Sequence, residues 1–353
     1  MNRLKAVCLV LVVSLPGVAL ALAGETLISE NVSFACATSS QTILLARNGS
    51  IFTYDVPSGQ LADWNPELDP QQAGWAGTGE IRKLSFNGGK VLFMIDLIPP
   101  VEEMYGMTIP SPVGIYSSNA DGTGTRLLAL TRASSVGDID LLFGGNWVAG
   151  SGFSRSAPEA ERYLDYVTGE MAFELLPESN MISTADGSRY QLEELQLASD
   201  HVWCPYAARV LEGGESPAIA IVDTEVPAVD SVLPIGESYP GIEVQGWVGT
   251  DALTASYHGT KGLLFTDGRF APLPGADWIV YLWLSDGSYV FSTDGGATVA
   301  RGPIDWSTLD ASQAPLQEGL EAYAGPALKA IPGSSARLLH LEGGSLRLIT
   351  LTE

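Results

Sequence analysis

The chain has 353 residues, of which 18 are Lys or Arg and 41 are Asp or Glu, for a formal charge of −23. Hydrophobic residues make up 46%, enough to bury a core, which excludes a disordered acidic tail. Only 5 of the cations are lysines and no basic run exceeds Arg82-Lys83, so the chain has little with which to displace counterions from a nucleic-acid backbone or an anionic lipid surface.

Arg3 and Lys5 precede an apolar run from Ala6 to Leu15, which Pro16-Gly17 breaks before the small residues Ala21-Leu22-Ala23. That order is the order of a secretory signal peptide, residues 1–23, cut after Ala23. The rival reading is an uncleaved anchor over Ala6–Ala23, which at about 18 residues sits at the short edge of what spans a bilayer. Cys8 is preceded by Ala6-Val7, which is not a lipoprotein cleavage box, and no later stretch is long and apolar enough to span. The expected product is periplasmic or secreted, and loss of Arg3 and Lys5 takes its charge from −23 to −25. Export would leave Cys36 and Cys204. They are compatible with one disulfide, which would stabilise by about 4–5 kcal/mol in the chain-entropy model, or with two buried thiols. C-x-x-C is absent, so neither a redox motif nor a zinc site is indicated.

After Gly24 the chain is a succession of short apolar runs rich in β-branched and aromatic residues. Ile43–Arg47, Ser50–Val56, Ile81–Phe86, Lys90–Asp96, Val113–Ser117 and Arg126–Leu130 are each strand-length. Later runs include Asp138–Phe143, Trp147–Phe153, Ala218–Asp223, Ile242–Val248, Leu253–Tyr257, Trp278–Leu284 and Arg337–Leu341. No window carries a sustained helical period; the nearest candidate, Ala157–Tyr166, runs into a Thr168-Gly169 turn. Turns recur as Asp55-Val56-Pro57-Ser58-Gly59, Asn119-Ala120-Asp121-Gly122, Asp267-Gly268, Asp286-Gly287 and Asp294-Gly295. Asp closes such a turn through its carboxylate, and Gly takes the positive φ it needs.

Strand groups recur about every 40–50 residues, the period of a four-stranded propeller blade. One such sheet cannot cover both its faces, whereas a ring of them can. The groups run Thr42–Leu68, Gly79–Leu130, Val136–Leu176, Arg189–Leu233, Ile242–Pro274, Asp277–Arg301 and Ala327–Glu353. The fold expected is therefore an all-β, seven-bladed β-propeller, with six or eight blades as alternatives given the uneven spacing. Leu27–Cys36 would supply the strand missing from the last group and close the ring. Composition shows no step, so 24–353 reads as a single domain. Pro99–Pro112 and Ser307–Glu321 read as surface loops.

The segment Gly114-Ile115-Tyr116-Ser117-Ser118-Asn119-Ala120-Asp121-Gly122-Thr123-Gly124-Thr125-Arg126 resembles the repeat of TolB-type β-propellers, with its aromatic-x-x-N-x-D-G-x-G strand end. Asp138–Ala149 resembles the next strand pair of that family, except that Phe143-Gly144-Gly145-Asn146 stands where a Ser-Pro-Asp-Gly turn is usual. The resemblance implies a propeller in a periplasmic setting, without the additional α/β domain of a full TolB. Ser292-Thr293-Asp294-Gly295-Gly296-Ala297-Thr298-Val299 is similar to the Asp box of sialidase-type propellers, with Val299 in place of the aromatic; that hairpin is structural even there.

Chemistry is harder to read. His201, His258 and His340 have no second ligand at metal-binding spacing, and G-x-S-x-G, P-loop and G-x-G-x-x-G motifs are missing. Glu102-Glu103, Asp138 with Asp140, and Glu193-Glu194 read as solvated acidic faces rather than as a glycosidase pair. Calcium has oxygen ligands in plenty but no EF-hand loop. Eight tryptophans (Trp64, Trp75, Trp147, Trp203, Trp247, Trp278, Trp283, Trp306) fall mostly on strands and read first as blade packing, second as a partner surface. No catalytic, cofactor or metal residue is nominated, and no cofactor is expected beyond a bound Ca²⁺ as a minor alternative. The leading reading is a non-catalytic exported propeller that binds a protein or peptide. Its rivals are a hydrolase or lyase acting on a sugar or lactone through a composite channel site, and a surface structural protein. The polar side chains on the strands lining the axis discriminate between them.

Overall fold

The computed structural model describes residues 24–66, 80–96, 101–104, 107–109, 112–132, 136–137, 139–150, 181–190, 202–203, 207–212, 216–223, 225, 227–248, 252–306 and 314–351. The expected signal peptide, the 157–166 segment, Cys204, His201 and Trp75 lie outside them.

Short strands joined by tight turns make up nearly the whole of this structure. Strand β1 (Glu25–Ser29) is followed by sheet I, formed in order by β2 (Val32–Ala37), β3 (Thr42–Arg47), β4 (Ser50–Asp55) and β5 (Gln60–Asp63). Sheet II holds β6 (Ile81–Asn87), β7 (Lys90–Asp96), β10 (Pro112–Asn119) and β11 (Arg126–Arg132), with a small hairpin, β8 (Val101–Met104) and β9 (Met107–Ile109), between its second and third strands. Sheet III is β12 (Asp140–Leu142), β13 (Trp147–Ala149), β14 (Met181–Ser183) and β15 (Arg189–Tyr190); sheet IV is β16 (Val202–Trp203), β17 (Ala207–Glu212), β18 (Ser216–Val222) and β19 (Val229–Leu233). After one helical turn, α1 (Ile235–Ser238), sheet V follows with β20 (Glu243–Val248), β21 (Ala252–Tyr257), β22 (Thr260–Phe265) and β23 (Phe270–Pro272). Sheet VI contains β24 (Ile279–Trp283), β25 (Tyr289–Ser292) and β26 (Ala300–Gly302). Sheet VII contains β27 (Leu328–Ala330), β28 (Arg337–Glu342), β29 (Ser345–Thr350) and, paired antiparallel to β29, the N-terminal β1.

This is an all-β propeller, and the burial shows why. Each sheet has two apolar faces, and each face meets the sheet beside it. Leu44, Ile51 and Trp64 of sheet I pack on Val91, Phe93 and Ile95 of sheet II. The opposite face of sheet II, with Leu92, Met94 and Ile115, meets Leu141, Val148 and Ile182 of sheet III. The pattern continues through III–IV, IV–V, V–VI and VI–VII. It returns through Leu339, Leu346 and Leu348 of sheet VII against Ala35, Ile43 and Leu45 of sheet I. Strands are buried on both sides for this reason, so β3 and β7 read as apolar runs rather than alternating ones.

The strand groups were legible but their bookkeeping needs correction. Among the described residues six sheets have four strands, so the complete blades number six, not the seven expected. The group Asp277–Arg301 makes a three-stranded sheet, whose outer place is held by a single bridge, Ala300 to Leu316. Two backbone bonds support it, from Arg301 N–H to the Pro315 carbonyl and from Gln317 N–H to the Val299 carbonyl. Pro315 lacks the donor a ladder needs, and Gly319 leaves in a left-handed conformation, which limits the pairing to one step. Leu27–Cys36 does not act as one strand either. Asn31, with φ 58°, divides it into β1 in sheet VII and β2 in sheet I. Arg189, assigned to the fourth group, instead pairs in sheet III.

The turns keep to their sequence logic. In the outer turns of sheets II, III, IV and V, an Asp carboxylate accepts the backbone N–H two residues on: Asp121 from Thr123, Asp186 from Ser188, Asp223 from Glu225 and Asp267 from Arg269. Hydrogen bonds from Ser188 hold the Asp186 carboxyl down at about 2. Between sheets II and III two turns pack backbone on backbone. A Cβ on Gly88 would overlap the Gly144 carbonyl, and one on Gly145 would overlap the carbonyl of Asn87. Gly88 also has φ +53°, so Gly88→Ala meets both a clash and an unfavourable backbone. The expected cost is about 3 kcal/mol, read as a lowered midpoint in urea denaturation, with Gly89→Ala, where a Cβ meets nothing within 4 Å, costing distinctly less.

Candidate functional site

In each sheet one edge strand approaches the corresponding edge strand of its neighbour: β2 with β6, β6 with β12, β16 with β20, β20 with β24 and β24 with β27. These strands form the inner edge of the ring. A propeller brings residues from distant parts of the chain together here, so this is where a composite site would be assembled.

The inner edges of sheets II and III carry charge. Arg82 on β6 donates to both carboxylate oxygens of Asp96, from Nε at 3.1 Å and Nη2 at 2.8 Å, and lies 3.2 Å from Glu80 through Nη1. The Asp96 side chain is only 7% exposed, so this two-pronged pair satisfies an otherwise buried carboxylate. Lys83 donates to the Ile139 carbonyl and pairs with Asp140 on β12 at 2.8 Å, tying sheet II to sheet III. Each of these charges is held by an opposite charge beside it.

The inner edges of sheets V and VI carry aromatic residues. On β20, Glu243 and Gln245 are exposed and Trp247 is half-buried; on β24, Tyr281 and Trp283 are half-buried. Trp247 and Trp283 occupy matched positions near the ends of neighbouring strands, opposite Leu253 and Tyr289 respectively. Each leans on the apolar cluster behind it while keeping part of its ring accessible. The remaining described tryptophan side chains are packing residues to differing degrees. Trp64 is buried edge-on to Phe93 and donates to the Ala120 carbonyl; Trp147 is buried against Tyr190; Trp278 stacks on Phe291. Composition and strand placement could not separate these roles, because exposure depends on which edge of a sheet a strand takes.

On β2 and β27 the inner edge brings Cys36 near the exposed Lys329. Burial pushes the Cys36 thiol up to about 12, with Lys329 pulling the other way. Cys36 is a free thiol here, and its expected alternative partner, Cys204, lies outside the described residues.

The two described histidines, His258 and His340, lie in different sheets. His258 sits in the two-residue turn between β21 and β22 with φ 49°, its ring against Tyr257, and His340 is buried in β28. Among the described residues no group of three His, Cys, Asp or Glu side chains is placed to hold a metal, and no helix is long and apolar enough to cross a membrane. The Asp294 hairpin has internal bonding: its carboxylate accepts from the Thr298 backbone at 2.8 Å, the Thr298 hydroxyl at 2.7 Å and the Ser292 hydroxyl at 2.8 Å. All its acceptor capacity in these bonds serves the turn. Away from the axis, a cavity of about 320 Å³ between sheets I and II is lined by Ser50, Asp63, Trp64, Ile81 and Phe93 among others. A second, of about 290 Å³, adjoins Val299 and Leu316 in sheet VI.

Neither a protein-family model nor a curated protein matches this chain. Its likeness to solved structures is one of fold. The structure of YCF48 bound to D1 peptide is similar with a TM-score of 0.50 at 10% identity, covering 94% of this chain and 95% of that one. Virginiamycin B lyase from Staphylococcus aureus is similar with a TM-score of 0.45 at 12% identity, covering 93% of this chain and 99% of that one. The Dos1 propeller has a TM-score of 0.42 at 10% identity, with 92% and 93% covered. The likeness to the YCF48 structure shows the β-propeller fold alone and leaves the site to be argued from its own residues.

A raised thiol pKa makes Cys36 a poor nucleophile. In a chain that starts at Gly24 and carries Cys204→Ser, Cys36 is expected to react with Ellman's reagent at pH 8 more than about a hundredfold slower than in denaturant. Equal rates in the two conditions would place the thiol in solvent.

Proposed function

We propose that this protein is an exported β-propeller that binds a protein or peptide segment across the inner edge of its ring. The observation that carries the reading is the division of that edge, with the partly exposed Trp247, Tyr281 and Trp283 on sheets V and VI and the paired charges of Arg82, Lys83 and Asp140 on sheets II and III. Partly exposed aromatic rings held by a rigid backbone are suited to be the anchors of an interface, since they bury large areas at small entropic cost. Ion pairs at its rim add orientation and selectivity more than affinity. The peptide in the YCF48 structure shows that a protein of this fold class can hold such a ligand.

In this reading residues 1–23 are the export signal and 24–353 are one domain. Sheet VI counts as the seventh member of the ring despite its reduced outer strand, and β1 closes the ring through its pairing with β29. A sugar- or lactone-cleaving enzyme draws less support, because Arg82, Lys83 and Asp140 on the inner edge are each held by an opposite charge beside them rather than aimed at a common point.

Site-specific photo-crosslinking tests the proposal. A photoreactive residue at Gln245 on the inner edge, compared with one at Val232 on the outer strand β19, should yield a discrete adduct in envelope extracts only from the inner position. Trp283→Ala should weaken capture by about thirtyfold, equivalent to about 2 kcal/mol for an interface anchor. Identical adducts from both positions, or an adduct indifferent to Trp283→Ala and Trp247→Ala, would place the partner elsewhere or remove it.

A further inference from the structure

The N-terminal strand is held to the rest of the molecule by a polar network with a histidine beneath it. Glu25 on β1 accepts hydrogen bonds from Arg347 Nε on β29 at 2.7 Å and from the Tyr323 hydroxyl at 2.6 Å. Glu30, just after β1, accepts from the Ser345 hydroxyl at 2.7 Å. Tyr323 lies in the connection between sheets VI and VII, so one carboxylate joins the first strand of the chain, its last strand and the preceding connection.

His340 is the registered neighbour of Arg347 across β28 and β29, and of Leu328 on the other side. Its ring meets Tyr323 edge-on at 5.1 Å. The residue is 3% exposed, and its Nδ1 is buried without a hydrogen-bond partner. Nε2 lies 3.7 Å from a carboxylate oxygen of Glu342, which is itself 73% exposed. The ionisable groups around it are therefore Glu342 on its own strand, Arg347 on β29, Glu25 on β1 and Tyr323, with Lys329 on the adjoining β27.

We infer that His340 is a proton-sensitive latch for the N-terminal strand: neutral it fits beneath the Glu25–Arg347–Tyr323 network, and protonated it favours release of β1. A protonated imidazole would bury a second N–H donor at Nδ1 with no acceptor and add a cation beside Arg347. The burial cost disappears when β1 and Tyr323 lift away and water reaches the ring, and the same water screens the charge of Arg347, which stays on β29. The exposed Glu342 offsets only part of them. The sign follows from proton binding. Burial lowers the His340 pKa with help from Arg347, outweighing Glu342 and Glu25 of β1, which raise it, so the open state takes up a proton before the closed one does. Stability of the closed strand is thus full above the ordinary histidine range near 6.5 and falls as pH drops through it. The device makes no use of the inner-edge surface and stands apart from the function proposed for it.

Hydrogen exchange at the amides of 25–29, corrected for intrinsic pH dependence, tests the latch in the full chain. Protection of β1 is expected to fall by up to about tenfold between pH 7.5 and pH 5.5, the largest factor one histidine can supply over that interval. Protection of β3 and β7 should hold. His340→Leu should remove the drop, and His340→Gln serves where the leucine variant does not fold. An equal drop in a folded variant, or none in the natural chain, would overturn the inference; so would an acid response spread evenly over all sheets.

Discussion

The structure depends on one constraint: a small twisted sheet whose two faces are both apolar is insoluble alone and has to be sandwiched. Sheet II illustrates it. Its strand β7 sends Val91, Phe93 and Ile95 to one neighbour and Leu92 and Met94 to the other, so neither face can be left to water. A stack of such sheets would end in two bare faces. A ring would have no ends, and sheet VII packs on sheet I.

That arrangement divides the molecule into parts with different duties. Between the sheets the contacts are apolar and closely fitted, down to turns so near each other that Gly88 and Gly145 leave no space for a side chain. At the turns, short polar side chains serve the backbone, as Asp121, Asp186 and Asp294 do. The edges carry the polar side chains and part of the aromatic surface. The outer edges take exposed strands such as β5, and the inner edges take the paired charges and the partly exposed tryptophans.

Sheet VII bears a particular burden, since it joins the two ends of the described chain. Its apolar contacts resemble those of the other sheets, but β1 is an outer strand with Leu27 51% exposed. Hydrophobic burial alone holds such a strand weakly, and Glu25, Arg347, Tyr323 and Ser345 supply directional bonds where it falls short. The polar network sits on a strand whose first three residues are exposed.

Local chemistry made much of this readable from residue order. Asp-Gly turns between β-branched runs specify hairpins whatever surrounds them, and a recurring sheet length with no helical period leaves a ring as the natural way to cover two faces. The Asp294 hairpin was legible for the same reason, being a turn that bonds to itself. Other features belonged to the assembled ring alone. Asn31 divides one apolar segment between the first and last sheets, and Leu316, inside a segment read as a loop, supplies the one bridge at the outer place of sheet VI. Which tryptophans keep an exposed edge, and which carboxylate meets Arg82, Lys83 or Arg347, depends on partners that lie up to most of the chain away. Turns are set by neighbours along the backbone, whereas exposure and ion pairing are set by neighbours in space, and only closure of the sheets on one another selects those.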